Sequence, residues 1–117
     1  MLSKISQIIF LISIVAIEYL ATTSLEIKSI ENSWDKANHF VAFFTLYVTL
    51  TLGYPKLEVL KKVALLLAFG IQIEIVQYFL PNREFSLLDV VADGVGIVLG
   101  IVVVKALWYV MNSKVRV

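Results

Sequence analysis

The chain has 117 residues, of which 60% are hydrophobic and 16% are charged, and its formal net charge is +1. A soluble domain carries roughly 25% charged residues, because it must cover its core with groups that water solvates. The apolar composition excludes a disordered chain, and the low net charge excludes a nucleic-acid-binding protein. The absence of cysteine excludes disulfides, thiolate chemistry and cysteine-based zinc sites. Such a composition is typical of an integral membrane protein.

Four apolar stretches are long enough to cross a hydrocarbon core of about 30 Å, which takes about 20 helical residues. They cover residues 5–25, 38–54, 63–80 and 87–110. The links between them are short and polar, so neighbouring helices should run antiparallel. The sequence therefore predicts an all-α, polytopic membrane protein: a single domain over residues 1–117 that forms an antiparallel bundle of four transmembrane helices.

The first stretch has a second interpretation as a cleaved signal peptide. Lys4 precedes the apolar run and small residues follow it, as in such peptides. However, Glu18 interrupts the run and no A-x-A cleavage site follows, so a retained helix is favoured.

Lysine and arginine residues near the spans predict the orientation of the bundle. Seven lie on one side, namely Lys4, Lys56, Lys61, Lys62, Lys105, Lys114 and Arg116. Three lie on the other side, namely Lys28, Lys36 and Arg83. Because cytoplasmic segments carry the excess of positive residues, both termini and the second link should face the cytoplasm. The chain is therefore expected to be a multi-pass protein of the cytoplasmic membrane.

Because successive spans run in opposite directions, polar residues of three spans should lie at the outer membrane face. They are Asp35, Lys36, His39, Glu74, Gln77, Arg83, Ser86, Asp89 and Asp93. Charged residues within spans are costly and are candidate functional residues by default. Simpler interpretations exist for some: Asp35 complements a helix N-terminus, and a single histidine is often a structural hydrogen-bonding residue. Glu74 has the weakest structural explanation, because it lies about 9 Å inside the end of its helix. Glu18 is not assigned to this set.

Spacing along the fourth span predicts one continuous polar and small-residue face. Asp89, Asp93, Gly96 and Gly100 follow one another at intervals of four, three and four residues. The two glycines form a Gly-x-x-x-Gly motif, which lets a neighbouring helix backbone approach closely. Gly96 and Gly100 should therefore pack against another helix or a second copy, with both carboxylates in the same seam.

These residues together resemble the VanZ-like family. The motifs are Asp35–Lys36–x–x–His39, then Gly70–x–x–x–Glu74–x–x–Gln77, then Arg83–x–x–Ser86–x–x–Asp89–x–x–x–Asp93. The resemblance implies a small bacterial membrane protein of four or so helices, located in the inner membrane and related to teicoplanin (glycopeptide) resistance. It implies that the polar motif positions are Asp35, Lys36, His39, Glu74, Gln77, Arg83 and Asp89. Asp93 departs from the family pattern, in which we expect Asn.

Three functions stay open at the level of sequence. The first, which the sequence favours, is binding of an anionic amphipathic envelope molecule such as a lipid-linked sugar phosphate or a lipid headgroup. A glycopeptide is a further possible ligand. Lys36 and Arg83 would hold its phosphate. The carboxylates and Gln77 would pair with these cations or bind hydroxyl and amine groups. Membrane lipids and a second copy of the chain are further expected partners.

The second function is an intramembrane enzyme with His39, Glu74 and Asp89 as catalytic candidates. The carboxylates would serve as base or as ligands to Mg²⁺ or Mn²⁺. The sequence favours binding over catalysis because it shows no combination of a nucleophile, a base and a residue that orients the base. If the chain is a binding protein, no cofactor or metal site is expected. The third function is a structural or interaction protein whose polar residues form an internal salt-bridge network.

Overall fold

A computed structural model describes residues 2–22, 32–79 and 87–115 of the chain. This part consists of four helices: α1 (Leu2–Thr22), α2 (Asn32–Gly53), α3 (Val59–Tyr78) and α4 (Leu87–Val115). No strand occurs within these ranges. The prediction of an all-α protein is confirmed.

The helix bounds differ from the predicted spans mainly at α2 and α4. α2 begins at Asn32, six residues before the predicted span, and α4 continues five residues beyond it, to Val115. The predicted spans follow hydropathy, whereas polar residues can continue a helix at a cost of at most about 0.7 kcal/mol per residue. α2 ends at Gly53 because Pro55 lacks a backbone N–H and restricts the residue before it.

Two of the helices are long and apolar enough to cross a membrane, as judged by length and composition. They contain the segments Ser3–Ala21, with 19 residues, and Leu87–Met111, with 25 residues. α2 contains a shorter apolar segment, Asn38–Gly53, and α3 carries three charged residues. The structure thus supports α1 and α4 as membrane spans. The four-span bundle and the cytoplasmic termini stay predictions.

α2 is the central helix, and it packs most extensively against α4 and next against α1. The buried apolar core of the described residues is Phe43, Leu46, Tyr47, Leu50, Leu66, Ile73 and Ile97. The outer surface is also apolar: Ile12 and Val15 of α1 are 63% and 67% exposed. Charged side chains are meanwhile buried between the helices. An apolar exterior with polar groups inside suits a lipid environment.

Close approach of α2 and α4 depends on two glycines of α4. A Cβ built on Gly96 would collide with the carbonyl oxygen of Phe40 and lie 3.1 Å from the backbone N of Phe44. A Cβ on Gly100 would lie 3.0 Å from the Tyr47 side chain. The absence of a side chain at Gly96 therefore allows direct contact between the two helix backbones.

Three hydrogen bonds from side-chain amides attach α1 to its neighbours. They join Gln7 Nε2 to the Gly53 carbonyl (2.8 Å), Gln72 Nε2 to Glu18 Oε1 (2.9 Å) and Gln77 Nε2 to the Ala21 carbonyl (2.8 Å). The first bond also satisfies a carbonyl at the end of α2 that has no partner within the helix. α1 is thus held by polar contacts as well as by apolar packing.

Candidate functional site

His39 is buried between α2 and α4, where it faces other polar side chains. Its side chain comes from α2, and the residue is only 8% exposed. Nδ1 of His39 lies 2.7 Å from Oδ1 of Asp93 on α4. Because a carboxylate oxygen accepts, Nδ1–H donates this bond. The ring also stacks parallel to that of Phe43, one turn along α2, with 6.5 Å between the ring centroids. Both contacts fix the orientation of the imidazole.

Asp89 faces the other nitrogen of the same ring. Oδ2 of Asp89 is 3.7 Å from Nε2 of His39, which is too long for a hydrogen bond. Asp89 and Asp93 are one helical turn apart on α4, so both carboxylates lie on one face of that helix. The imidazole of His39 therefore lies between two buried carboxylates.

Glu74 adds a third carboxylate to the cluster, from α3. It is 0% exposed, and Asp89 is 3% exposed. One ligand atom each from His39, Glu74 and Asp89 can be chosen so that all three lie within 4.8 Å of one another. Three different helices thus bring one imidazole and several carboxylates together. Such an arrangement can accept a proton, bind an amine or hydroxyl group, or hold a metal ion.

Gly70 provides the space that the Asp93 side chain occupies. A Cβ built on Gly70 would lie 2.5 Å from Oδ2 of Asp93. Gly70 precedes Glu74 by one helical turn, so the position without a side chain and the carboxylate lie on the same face of α3. We name the set of His39, Glu74, Asp89 and Asp93 the polar cluster.

Comparison with known families identifies the family of the chain. The model of the family described as VanZ/LLP1 matches residues 2–109. The chain belongs to the VanZ/LLP1 family. The VanZ-like resemblance predicted from the motifs is therefore confirmed. No curated protein and no solved structure matches the chain.

The structure of this VanZ-like chain brings four of the eight predicted ligand-binding residues together, namely the members of the polar cluster. Asp35 and Lys36 belong to the first turns of α2, before His39, but their side chains lie outside the described residues. Arg83 and Ser86 lie outside the described residues altogether. A role for Asp35, Lys36 and Arg83 in binding stays a prediction.

Gln77 is buried, as a site residue would be, but its amide is engaged with α1. It is 3% exposed and donates to the Ala21 carbonyl. Glu74 and Gln77 are three residues apart on one helix face, from which the sequence suggested a shared site. A backbone carbonyl of another helix leaves no pattern in a sequence, so this partner was not predictable.

A second polar contact was missed at Lys62. The hydropathy pattern predicts that Lys62 lies in a cytoplasmic link, where a lysine is normally solvated. Instead it is 5% exposed, and Nζ donates to Oγ1 of Thr51 at 2.9 Å. Nζ also lies 4.7 Å from the centroid of the Tyr47 ring. α3 begins at Val59, so Lys62 falls on its buried face rather than in a link.

Proposed function

We propose that this VanZ-like chain is a multi-pass protein of the bacterial cytoplasmic membrane that binds an anionic amphipathic envelope molecule. The ligand class is a lipid-linked sugar phosphate or a lipid headgroup, held at the outer end of the bundle. The observation that carries the proposal is the polar cluster, which α2, α3 and α4 build within an apolar exterior. Buried ionisable groups are costly in a membrane protein and commonly mark ligand sites.

Recognition of a phosphate requires positive groups, and the sequence has two within a few residues of members of the polar cluster. Lys36 precedes His39 by one helical turn, and Arg83 lies six residues before Asp89. We assign the phosphate to these two cations, because arginine can form two parallel hydrogen bonds with it. The carboxylates of the polar cluster would bind hydroxyl or amine groups of the same ligand.

A second candidate function is catalysis, and the hydrogen bond between His39 and Asp93 favours it. A histidine whose Nδ1 donates to a carboxylate has its Nε2 oriented for proton transfer, as in general-base catalysis. Turnover of a bound phosphate ester that is lost in His39→Gln would favour this function. Binding without turnover would favour the first proposal.

The experiment measures binding of a polyprenyl phosphate to the purified full chain in zwitterionic nanodiscs. The matched probe is the polyprenol of equal length, which lacks only the phosphate. We expect at least about tenfold tighter binding of the phosphate, because a charge-assisted hydrogen bond contributes about 1.5–3 kcal/mol. His39→Gln and Lys36→Met should weaken binding, whereas Glu18→Gln should not.

Equal binding of the phosphate and the alcohol would refute the proposal. So would unchanged binding in a folded His39→Gln variant, since the polar cluster would then be an internal structural network. Family membership further leads us to include a role in teicoplanin resistance. Expression in a susceptible bacterial host should raise the minimal inhibitory concentration of teicoplanin, and Glu74→Gln should abolish that increase.

A further inference from the structure

Three residues of the polar cluster have the chemistry and the spacing of metal ligands. His39 offers an imidazole nitrogen, and Glu74 and Asp89 each offer a carboxylate oxygen. We propose that these residues hold a divalent transition-metal ion, such as Mn²⁺ or Zn²⁺. The inference deepens the proposed function and rests on it, because the ion would supply positive charge for a phosphate headgroup among carboxylates.

The distances are close to those that one ion requires. Ligands to a single tetrahedral Zn²⁺ lie about 2.0–2.2 Å from the metal and therefore roughly 3.3–3.6 Å from one another. The separation of 3.7 Å between His39 Nε2 and Asp89 Oδ2 is close to this value. One ligand atom from each of the three residues lies within 4.8 Å of the others, so each side chain needs to move inward by less than about 1 Å to reach one ion.

Asp93 positions the histidine ligand and is not itself a ligand in this proposal. A metal-binding histidine usually donates its other ring N–H to a carboxylate, which fixes the tautomer and the ring orientation. The Nδ1–H of His39 donates to Asp93 in this way at 2.7 Å, which directs Nε2 towards Asp89. The absence of a side chain at Gly70 gives Asp93 the room to take this position.

The donor set selects the class of ion. Mg²⁺ and Ca²⁺ prefer all-oxygen sites, whereas a mixed set of one imidazole and two carboxylates suits transition metals. Two carboxylate ligands also balance the charge of a divalent ion. The burial of His39, Glu74 and Asp89, at 8%, 0% and 3% exposure, would limit the exchange of such an ion with water.

The first experiment measures metal content in the full chain, purified in detergent, stripped with a chelator and then supplied with Mn²⁺ or Zn²⁺. We expect about one ion per chain by elemental mass spectrometry. Glu74→Gln and His39→Gln should weaken binding by more than 100-fold, and Asp93→Asn by about 10- to 100-fold, as for other partners of ligating histidines. Glu18→Gln is the matched control and should bind like the wild type.

A spectroscopic measurement keeps the test valid if a variant fails to fold. Electron spin echo of the wild-type protein loaded with Mn²⁺ should show nitrogen modulation from the His39 imidazole, the chain's only histidine. Absence of a stoichiometric ion, or of nitrogen coupling to bound Mn²⁺, would overturn the proposal.

Lipid binding measured with and without chelator separates this inference from the proposed function. If polyprenyl phosphate binds equally well after chelation and no ion is retained, the metal proposal fails and the proposed function stands. If one ion binds but the phosphate binds no better than the alcohol, the metal site stands and the proposed function fails.

Discussion

The side chain of Asp93 on α4 occupies the space that a side chain at Gly70 on α3 would need, because a Cβ on Gly70 would lie 2.5 Å from Oδ2 of Asp93. The backbone of α3 therefore decides where a side chain of α4 can point. Because Asp93 in turn holds the imidazole of His39, a residue with no side chain affects the orientation of one on a third helix.

Replacing Gly70 with alanine should displace Asp93 and weaken its bond to His39. Overpacking of a tight interior typically costs about 1–3 kcal/mol, and we expect a loss of stability in that range. Thermal unfolding in detergent measures it. Gly94→Ala is the control, because a Cβ there meets nothing within 4 Å. A double variant with Asp93→Ala should lose less than the sum of the single changes, whereas additive losses would show that the two positions are independent.

Gly96→Ala should separate α2 from α4, because the added methyl group meets backbone atoms of Phe40 and Phe44 that cannot rotate away. We expect it to be at least as destabilising as Gly70→Ala, whose clash is with a movable side chain. Resistance of the helix pair to unfolding by SDS, followed by circular dichroism, is a suitable measurement. Equal stability of Gly96→Ala and Gly94→Ala would contradict the close approach of the two helices.

The stability that the hydrogen bond between His39 and Asp93 contributes should depend more on the presence of an acceptor oxygen at position 93 than on its charge. Asp93→Asn retains an acceptor oxygen for Nδ1–H, and Asn is the residue we expect at this position in the family pattern. Hydrogen bonds to charged groups contribute about 1.5–3 kcal/mol, and neutral ones about 0.5–1.5 kcal/mol. Asp93→Asn should therefore cost about 1 kcal/mol, and Asp93→Leu clearly more. Unfolding midpoints of the two variants provide the comparison, and a ranking in the opposite order would contradict this prediction.

Lys62 should contribute to stability in a way that its neighbour Lys61 does not. Lys62→Ala removes the bond to Thr51 and the cation–π contact with Tyr47, for a loss of about 1–2 kcal/mol. Lys61 is exposed, and Lys61→Ala should stay within about 0.5 kcal/mol of the wild type. Parallel thermal unfolding of the two variants decides the matter. A similar small effect of both would mean that the buried contacts of Lys62 have no net stabilising value.

The sequence predicted the elements for which a periodic or compositional signal exists. Hydropathy located α1 and α4, and spacing of four residues placed Asp89 and Asp93 on one face. The antiparallel order of the helices, together with the position of each polar residue along its span, then predicted that His39 and Glu74 lie at the same end of the bundle as these two carboxylates. The start of α2 at Asn32 was missed because polar helical turns leave no hydropathy signal.

Contacts that depend on three-dimensional packing were beyond the sequence. Gln77 donates to a backbone carbonyl of α1, and any residue type could have supplied that acceptor. Lys62 is buried because of where α3 begins and how it is rotated, neither of which composition determines. The side chains of Asp35 and Lys36, and the whole of Arg83, lie outside the described residues, so their predicted part in the site awaits experiment.

The amide hydrogen bonds of α1 have a consequence for how that helix is set in the bundle. Gln7 and Glu18 are 11 residues apart, or about three turns, so both side chains project from one face of the helix, and Ala21 follows one turn later on the same side. Helices in lipid gain little from apolar association, so such bonds determine orientation. A shift of α1 by one residue would turn it by about 100° and break the bonds made by the side chains of Gln7 and Glu18, whereas a neighbouring backbone carbonyl could replace that of Ala21. The helix therefore has one favoured rotational setting, although most of its surface could face lipid in any direction.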